Sequence, residues 1–215
     1  MRILHLGKYY PPAPGGIESH VQTLARGQAN LGHDVAVICV NHADKNGKDI
    51  MHVRWRKTAS FVNMDGKVRV DRVGRLINVS RLEICPRLIG RLRVATKTVD
   101  IVHLHTPNPL MLAAWWLVGN RNVPLVVTHH SDVVKQRLLN LFVAPIEKRV
   151  YGLARKILSD SPNYIEGSVV LQGFAGKVET LPLGIDLEPY LRPSESVLNH
   201  TAVIKKEHDS PLWLM

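Results

Sequence analysis

The residues best able to do chemistry in this sequence fall in short polar groups, each directly after an apolar run. Gly15-Gly16 follows Arg2–Leu6 and opens a helical pattern. His105-Thr106 follows 101–104, His129-His130-Ser131-Asp132 follows 124–128, Ser159-Asp160-Ser161 follows 156–158, and Gly184-Ile185-Asp186 follows 177–181. Glycines at a helix start let a ligand approach the backbone closely, and the free N–H groups and helix dipole there favour an anion such as phosphate. Glu18, in the first turn, is the competing partner for that positive end. A histidine at a strand end can donate a hydrogen bond to a sugar hydroxyl or to developing negative charge. His129 and His130 are adjacent, so one is expected to point inward and the other into a cleft. His103 and Asp160, and His129, His130 and Asp132, are candidate metal ligands, but no closed ligand spacing such as HExxH occurs, and no metal is expected. Neither a GxSxG elbow, a Walker lysine nor GxGxxG is present.

The elements that must position these groups are legible as a strand–helix alternation. Arg2–Leu6 reads as a buried strand, and Tyr10-Pro11-Pro12-Ala13-Pro14 forbids any regular element after it. Ile17, Val21, Leu24, Ala25 and Leu31 fall on one helical face, and Gly32 sits where a helix stops. Residues 35–40 form a continuous apolar strand, as expected for one covered on both faces. Residues 50–77 alternate apolar and basic, predicting one or two half-exposed strands. A short basic helix is expected over 86–97, a strand over 100–105, a helix from Leu110, a strand over 124–128, helix over 133–154, a strand over 156–158, a helix capped by Ser161 with Pro162 at its first position, and a last strand over 177–181. This spacing predicts an α/β fold with a doubly wound, mostly parallel, Rossmann-like sheet, whose ligands bind beyond the carboxyl ends of the strands. Residues 187–209 are polar and weakly periodic, and Pro211–Met215 resembles the start of another strand. The expected division is therefore a domain over 1–190 and, over 191–215, the beginning of a second, truncated one.

Composition narrows the function classes. Two cysteines, Cys39 and Cys85, lack metal or disulfide spacing and suit a reducing compartment. The chain opens without a signal-peptide pattern, and its longest apolar run, Leu110 to Val118, is nine residues against the about 20 a span needs. A cytoplasmic protein, soluble or peripheral to the inner face of the membrane, is expected. The net charge is +10, and residues 51–98 hold twelve Lys/Arg against three acids. Such a face suggests an anionic partner: lipid headgroups, a charged substrate or nucleic acid.

Taken in order, these segments resemble family 4 retaining glycosyltransferases of the GT-B fold. The resemblance rests on Gly15-Gly16-Ile17-Glu18-Ser19-His20-Val21, on Gly32-His33-Asp34-Val35, and on Asp100-Ile101-Val102-His103-Leu104-His105-Thr106-Pro107. It continues through His129-His130-Ser131-Asp132-Val133-Val134-Lys135-Gln136, Ser161-Pro162-Asn163-Tyr164 and Leu181-Pro182-Leu183-Gly184-Ile185-Asp186, covering residues 1–190. It implies a hexosyltransferase with a nucleotide-diphosphate sugar as donor, no metal cofactor, and a glycan or lipid-linked acceptor. It places the donor diphosphate near Gly15 and Gly16, the catalytic histidine at His130, and the acceptor and sugar cleft at His105, Thr106, His129, Ser131 and Asp132. The family's donor-binding C-terminal domain is not recognisable here, so the chain is expected to be one half of a GT-B fold, inactive without that domain in cis. The basic segment, as a helix at 87–97, would then meet anionic lipid.

Two other classes compete. A non-enzymatic anion- or nucleic-acid-binding module would use the 51–98 segment with its interleaved Trp55 and Phe61, but no RNA- or DNA-binding signature accompanies it and no nucleic-acid partner is expected. A dinucleotide oxidoreductase would need GxGxxG and an acidic residue about 20 positions on.

Overall fold

In the computed structural model, residues 1–79, 82–132, 137–185, 187 and 191–207 are described. They fall into two compact units, Met1–Leu183 and Gly184–Met215. The first carries an eight-stranded sheet of order β10-β9-β8-β7-β1-β2-β4-β3. Its strands are β1 (Arg2–Leu6), β2 (Asp34–Val40), β3 (Phe61–Asp65), β4 (Val68–Val73), β7 (Ile101–Thr106), β8 (Leu125–His129), β9 (Lys156–Ser159) and β10 (Val178–Thr180). All run parallel except β3, which pairs antiparallel with β4 at one edge. A separate hairpin joins β5 (Ile77–Val79) and β6 (Leu82–Ile84). The helices of this unit are α1 (Gly16–Asn30), α2 (Pro86–Ala95), α3 (Pro109–Val118), α4 (Arg137–Leu153), α5 (Pro162–Gly167) and α6 (Val169–Gln172), with a 3-10 turn at Ala175–Lys177. The second unit contains α7 (Glu195–Glu207).

Both sheet faces are covered, and strand alternation assigns each side chain to a face. Leu4, Leu6, Val102, Leu104, Leu125 and Val127 join Leu88, Leu92, Met111, Trp115, Val150 and Tyr151 in a core under α2, α3 and α4. Ile3, Val35, Val37, Cys39, Val68 and Val70 pack with Val21, Ala25 and Ala29 under α1. The α1 face changes character along the strands. Ile3 and Ile101 pack apolar on it near their strand starts, whereas the same face carries His5, His103 and His105 nearer the carboxyl ends. His5 and His103 are partners in register across β1 and β7. The chain winds outward in opposite directions from β1, so the β1–β7 seam is the switch point where open α/β sheets bind ligands.

Several expectations change in the structure. Leu31 lies beyond the end of α1 and is 79% exposed, because Gly32, at φ +87, reverses the chain immediately after it. His20 takes the buried place on the helix face alongside Val21 and Ala25. The half-exposed strands expected over 50–77 are confined to 61–73, and β4 is mostly buried because it sits between β2 and β3. Residues 195–207, within the weakly periodic stretch, are helical. Pro211–Met215 lies outside the described residues, as does Asp186.

The basic segment is not one continuous solvated face. Arg72 is buried, donating to the Tyr10 carbonyl at 3.1 Å, to the Pro11 carbonyl at 2.5 Å and to Asn63 Oδ1 at 2.9 Å. Arg75 forms a fully buried pair with Glu83 at 3.2 Å and also donates to the carbonyls of Ile50, Met51 and Val53. Glu83 accepts further bonds from Asn78 at 3.0 Å and from the Tyr9 hydroxyl. These bonds tie down the 50–60 loop, and they take two of the twelve basic residues out of any surface. Arg91 is engaged by Asp71 at 2.8 Å. Trp55 and Phe61 receive Arg54 and Arg72 over their rings, at 5.0 and 5.8 Å. Part of the basic segment is thus structural, while Arg87, Arg93 and Lys97 remain exposed.

Candidate functional site

The carboxyl ends of β1, β7 and β8 and the start of α1 meet in one place. Gly15 precedes α1 with φ 152 and ψ 152, a region open essentially to glycine alone. Its carbonyl accepts from the Ser19 N–H at 3.1 Å and from the Ser19 hydroxyl at 3.0 Å. No side chain caps the helix through a hydrogen bond at Gly15, but the Glu18 carboxylate folds back over it, and a Cβ on Gly15 would lie 2.0 Å from Glu18 Oε2. Burial raises the Glu18 pKa, partly offset by its own backbone N–H and by Lys8. A Cβ on Gly16 would meet nothing within 4 Å. The anion site expected at Gly15-Gly16 is thus a real helix start, with Glu18 as its resident occupant.

His129 and His130 diverge, as strand alternation requires. His129 continues β8 toward α4 and is 1% exposed. Its Nδ1 lies 2.7 Å from the Tyr151 hydroxyl and its Nε2 3.1 Å from Asp132 Oδ1. Burial lowers its pKa despite Asp132, so this is a neutral imidazole bonded to a carboxylate. Both ring nitrogens are committed internally, and the ring offers none to a ligand. Asp132 Oδ1 also accepts from Ser168 at 3.1 Å, and the Asp132 N–H donates to the Tyr164 hydroxyl at 2.6 Å. Thr106 is likewise turned inward: fully buried, it donates to the Thr128 carbonyl at 3.2 Å and lies 2.6 Å from the Tyr151 hydroxyl. Ser131 is exposed. His129, Thr106, Tyr151 and Asp132 form a scaffold that sets the loop carrying His130.

His130 turns to the α1 side and is half-buried, its backbone N–H donating to the Thr106 carbonyl at 3.0 Å. There it joins a row of histidines. His5 Nε2 meets Gln28 Oε1 of α1 at 2.7 Å, and His5 Nδ1 meets His105 Nε2 at 3.1 Å. His105 Nδ1 lies 3.3 Å from His130 Nε2, with the rings stacked at 20°. His103 stacks on His105 at 4.4 Å and bonds Thr128 through Nε2 at 2.7 Å. His20, from α1, stands edge-on to His130 at 5.1 Å and to His105 at 5.9 Å. Burial is the leading cause that lowers the pKa of every member: His5 and His130 to about 4, His20 below its usual value, His103 and His105 well below it. Each is therefore a neutral imidazole at neutral pH. Two sets of three have ring nitrogens within 4.8 Å of one another, His5-His103-His105 and His20-His105-His130.

Of the residues picked from sequence, Gly15, Gly16, His105 and His130 belong to this corner, with His105 buried behind His130. His103 joins them on the sheet, whereas Asp160 follows β9 and its charge acts to raise the His130 pKa against the lowering by burial. His5, His20 and Gln28 were not singled out as site residues. The i, i+2 spacing of His103 and His105 was the available signal that one sheet face turns polar. The partners on β1 and α1 become visible only once β1 pairs with β7.

The sequence profile of Glycosyltransferase Family 4 matches residues 14–189. D-rhamnosyltransferase WbpZ of Pseudomonas aeruginosa is 28% identical over 93% of this chain and 49% of its own length. O-antigen chain mannosyltransferase C of Escherichia coli is 28% identical over 92% of this chain and 49% of its own. Phosphatidyl-myo-inositol mannosyltransferase of Mycobacterium leprae is 27% identical over 71% and 38%. The chain thus spans about half the length of the first two of these relatives and less of the third. Among solved structures, the catalytic domain of starch synthase IV from Arabidopsis thaliana, bound to ADP and acarbose, superposes with a TM-score of 0.55 at 13% identity, over 88% of this chain and 52% of that one. Sucrose-phosphate synthase from Thermosynechococcus elongatus gives 0.53 at 15% identity, over 96% and 98%. These structures share the fold of this chain.

Proposed function

Because this chain belongs to Glycosyltransferase Family 4, we propose that it forms the acceptor-side wall of a retaining hexosyltransferase cleft. The reaction moves a hexose from a nucleotide-diphosphate sugar to a glycan or lipid-linked acceptor and needs no metal cofactor. The observation that carries this reading is the position of His130: half-buried, neutral, at the switch point of the sheet and beside the glycine-led start of α1.

The Gly15-Gly16 backbone approaches the donor diphosphate, where unpaired N–H groups and the helix dipole favour negative charge. Glu18, folded back over Gly15, must swing aside as the phosphates arrive. His130 faces the transferred sugar during front-face displacement. With a pKa of about 4 it acts as a neutral hydrogen-bonding imidazole and not as a cation. The scaffold of buried His129, Tyr151 and Thr106 with half-buried Asp132 holds it in place, while Ser131 and the exposed rim of the loop meet the acceptor. Stabilising the leaving diphosphate also calls for cationic groups in a dry cleft. We assign these to a donor-binding domain acting in cis, and this chain by itself transfers no sugar.

The acceptor side lies near the membrane in this reading. None of the described helices is long and apolar enough to cross one. Arg87, Arg93 and Lys97 are exposed on and just after α2, with Val94 66% exposed among them, which suits peripheral contact with an anionic inner leaflet. The function is tested by joining the chain to a donor-binding domain of a family relative and offering nucleotide-diphosphate hexoses with lipid-linked and glycan acceptors. Transfer by the joined protein and none by the chain alone is expected. Transfer by the chain alone, or hydride or nucleic-acid chemistry in place of transfer, would overturn it.

A further inference from the structure

We infer that His20, His105 and His130 form a binding site for a borderline divalent transition ion, Zn2+ by its chemistry, with its open position facing the cleft. Three observations carry it. The first is distance. Zn–N bonds of about 2.0–2.1 Å hold tetrahedral ligand nitrogens about 3.3–3.4 Å apart. His105 Nδ1 and His130 Nε2 stand 3.3 Å apart, longer than the usual N–H hydrogen bond and matched to that edge. No pair in the set exceeds 4.8 Å, so shifts of about 1.5 Å or less complete it. The second is an orphan. His20 is 7% exposed, and its Nε2 is buried without a hydrogen-bond partner. Leaving a buried polar atom unpaired is costly, and coordination removes that cost.

The third is the outer shell. A metal-bound histidine usually donates its other N–H to a partner that fixes tautomer and orientation. Behind His105, its Nε2 meets His5 Nδ1, and His5 Nε2 meets the Gln28 side-chain oxygen. Gln28 as acceptor sets His5 as the Nε2–H tautomer. His5 then accepts from His105 Nε2–H, and His105 Nδ1 is left bare, the form a metal needs. The other set, His5-His103-His105, lacks this readiness, because His5 uses both nitrogens and His103 is held by Thr128. A fully imidazole donor set selects Zn2+, Cu2+ or Ni2+ over Mg2+ and Ca2+. Three protein ligands leave a fourth position for water or an oxygen of a ligand. The ion is not a cofactor of the proposed transfer: it occupies the His130 nitrogen and holds the cleft in a blocked form.

Co2+ titration of the 215-residue chain at pH 7.5, followed by visible ligand-field absorption, tests the site without any donor or acceptor, so failure of the transferase reading leaves the test intact. One equivalent of four-coordinate Co2+, displaced by Zn2+ but not by Mg2+, is expected. His20→Ala and His130→Ala should each lose more affinity than the about 10–100-fold that an outer-shell partner commands, and Gln28→Ala should lose an amount within that range. His33→Ala should bind as the parent does. Far-UV circular dichroism confirms that each variant is folded. No absorption, or absorption undiminished in both folded variants His20→Ala and His130→Ala, overturns the site.

Discussion

Lowering the pH from 7.5 to 5.5 should destabilise this domain through its buried histidines. His5, His103 and His105 are 0%, 5% and 1% exposed and lie side by side under α1. Burial holds His5 to about 4 and the other two well below 6.5, whereas the unfolded chain titrates near 6.5. A folded pKa below the unfolded one means that the unfolded chain binds more protons as pH falls. The stabilisation is therefore complete above pH 6.5 and drains away below it. For one such group the loss between pH 7.5 and 5.5 is roughly 1 kcal/mol, and for three together a few kcal/mol. A domain has about 5–15 kcal/mol in all, so this fraction is large. Urea unfolding followed by tryptophan fluorescence at pH 7.5, 6.5 and 5.5, at constant ionic strength and with a chelator present, measures it directly. A midpoint that falls steeply between pH 6.5 and 5.5 is expected. A change below about 1 kcal/mol over that range, or a gain, would refute neutral burial of these rings.

Gly15→Ala should cost about 1–3 kcal/mol of stability, because φ 152 is closed to a side chain, while Gly16→Ala should fold normally and raise the KM for the nucleotide-sugar donor. Equal stability of the two variants by urea unfolding would contradict the backbone argument. Arg75→Met should destabilise by about 3–5 kcal/mol, since it strands Glu83 as an uncompensated buried charge. Reversing Arg87, Arg93 and Lys97 to glutamate should weaken co-sedimentation with anionic liposomes by about 1 kcal/mol or more per residue and leave neutral liposomes unaffected, whereas equal binding by parent and variant would remove α2 as the membrane contact.

Much of the architecture was legible because alternation and helical period are local properties. The apolar run at 35–40 could only be a strand covered on both sides, and Ser161-Pro162 specified a helix start that the structure reproduces, the Ser161 side chain accepting from the Tyr164 N–H. Adjacency alone said that His129 and His130 must diverge, but not which way; the face of β8 that meets Tyr151 settled it. The failures were non-local. Arg72 and Arg75 read as surface charge because nothing in their own segment reveals the carbonyls of Tyr10 and Ile50 that surround them. The histidine row was invisible for the same reason: His5 and His105 are a hundred residues apart in sequence and touch only because β7 pairs with β1. Leu31 fitted a helical face that Gly32 had already ended.

The central claim is that His130 faces the sugar being transferred. It is tested most directly by hexose transfer from a labelled nucleotide-diphosphate donor, in the chain joined to a donor-binding domain, with His130 intact and as His130→Ala, both freed of metal. Loss of an interaction made chiefly in the transition state should lower kcat by about 100-fold or more with little change in donor KM. A near-parental kcat in the folded variant would contradict the account.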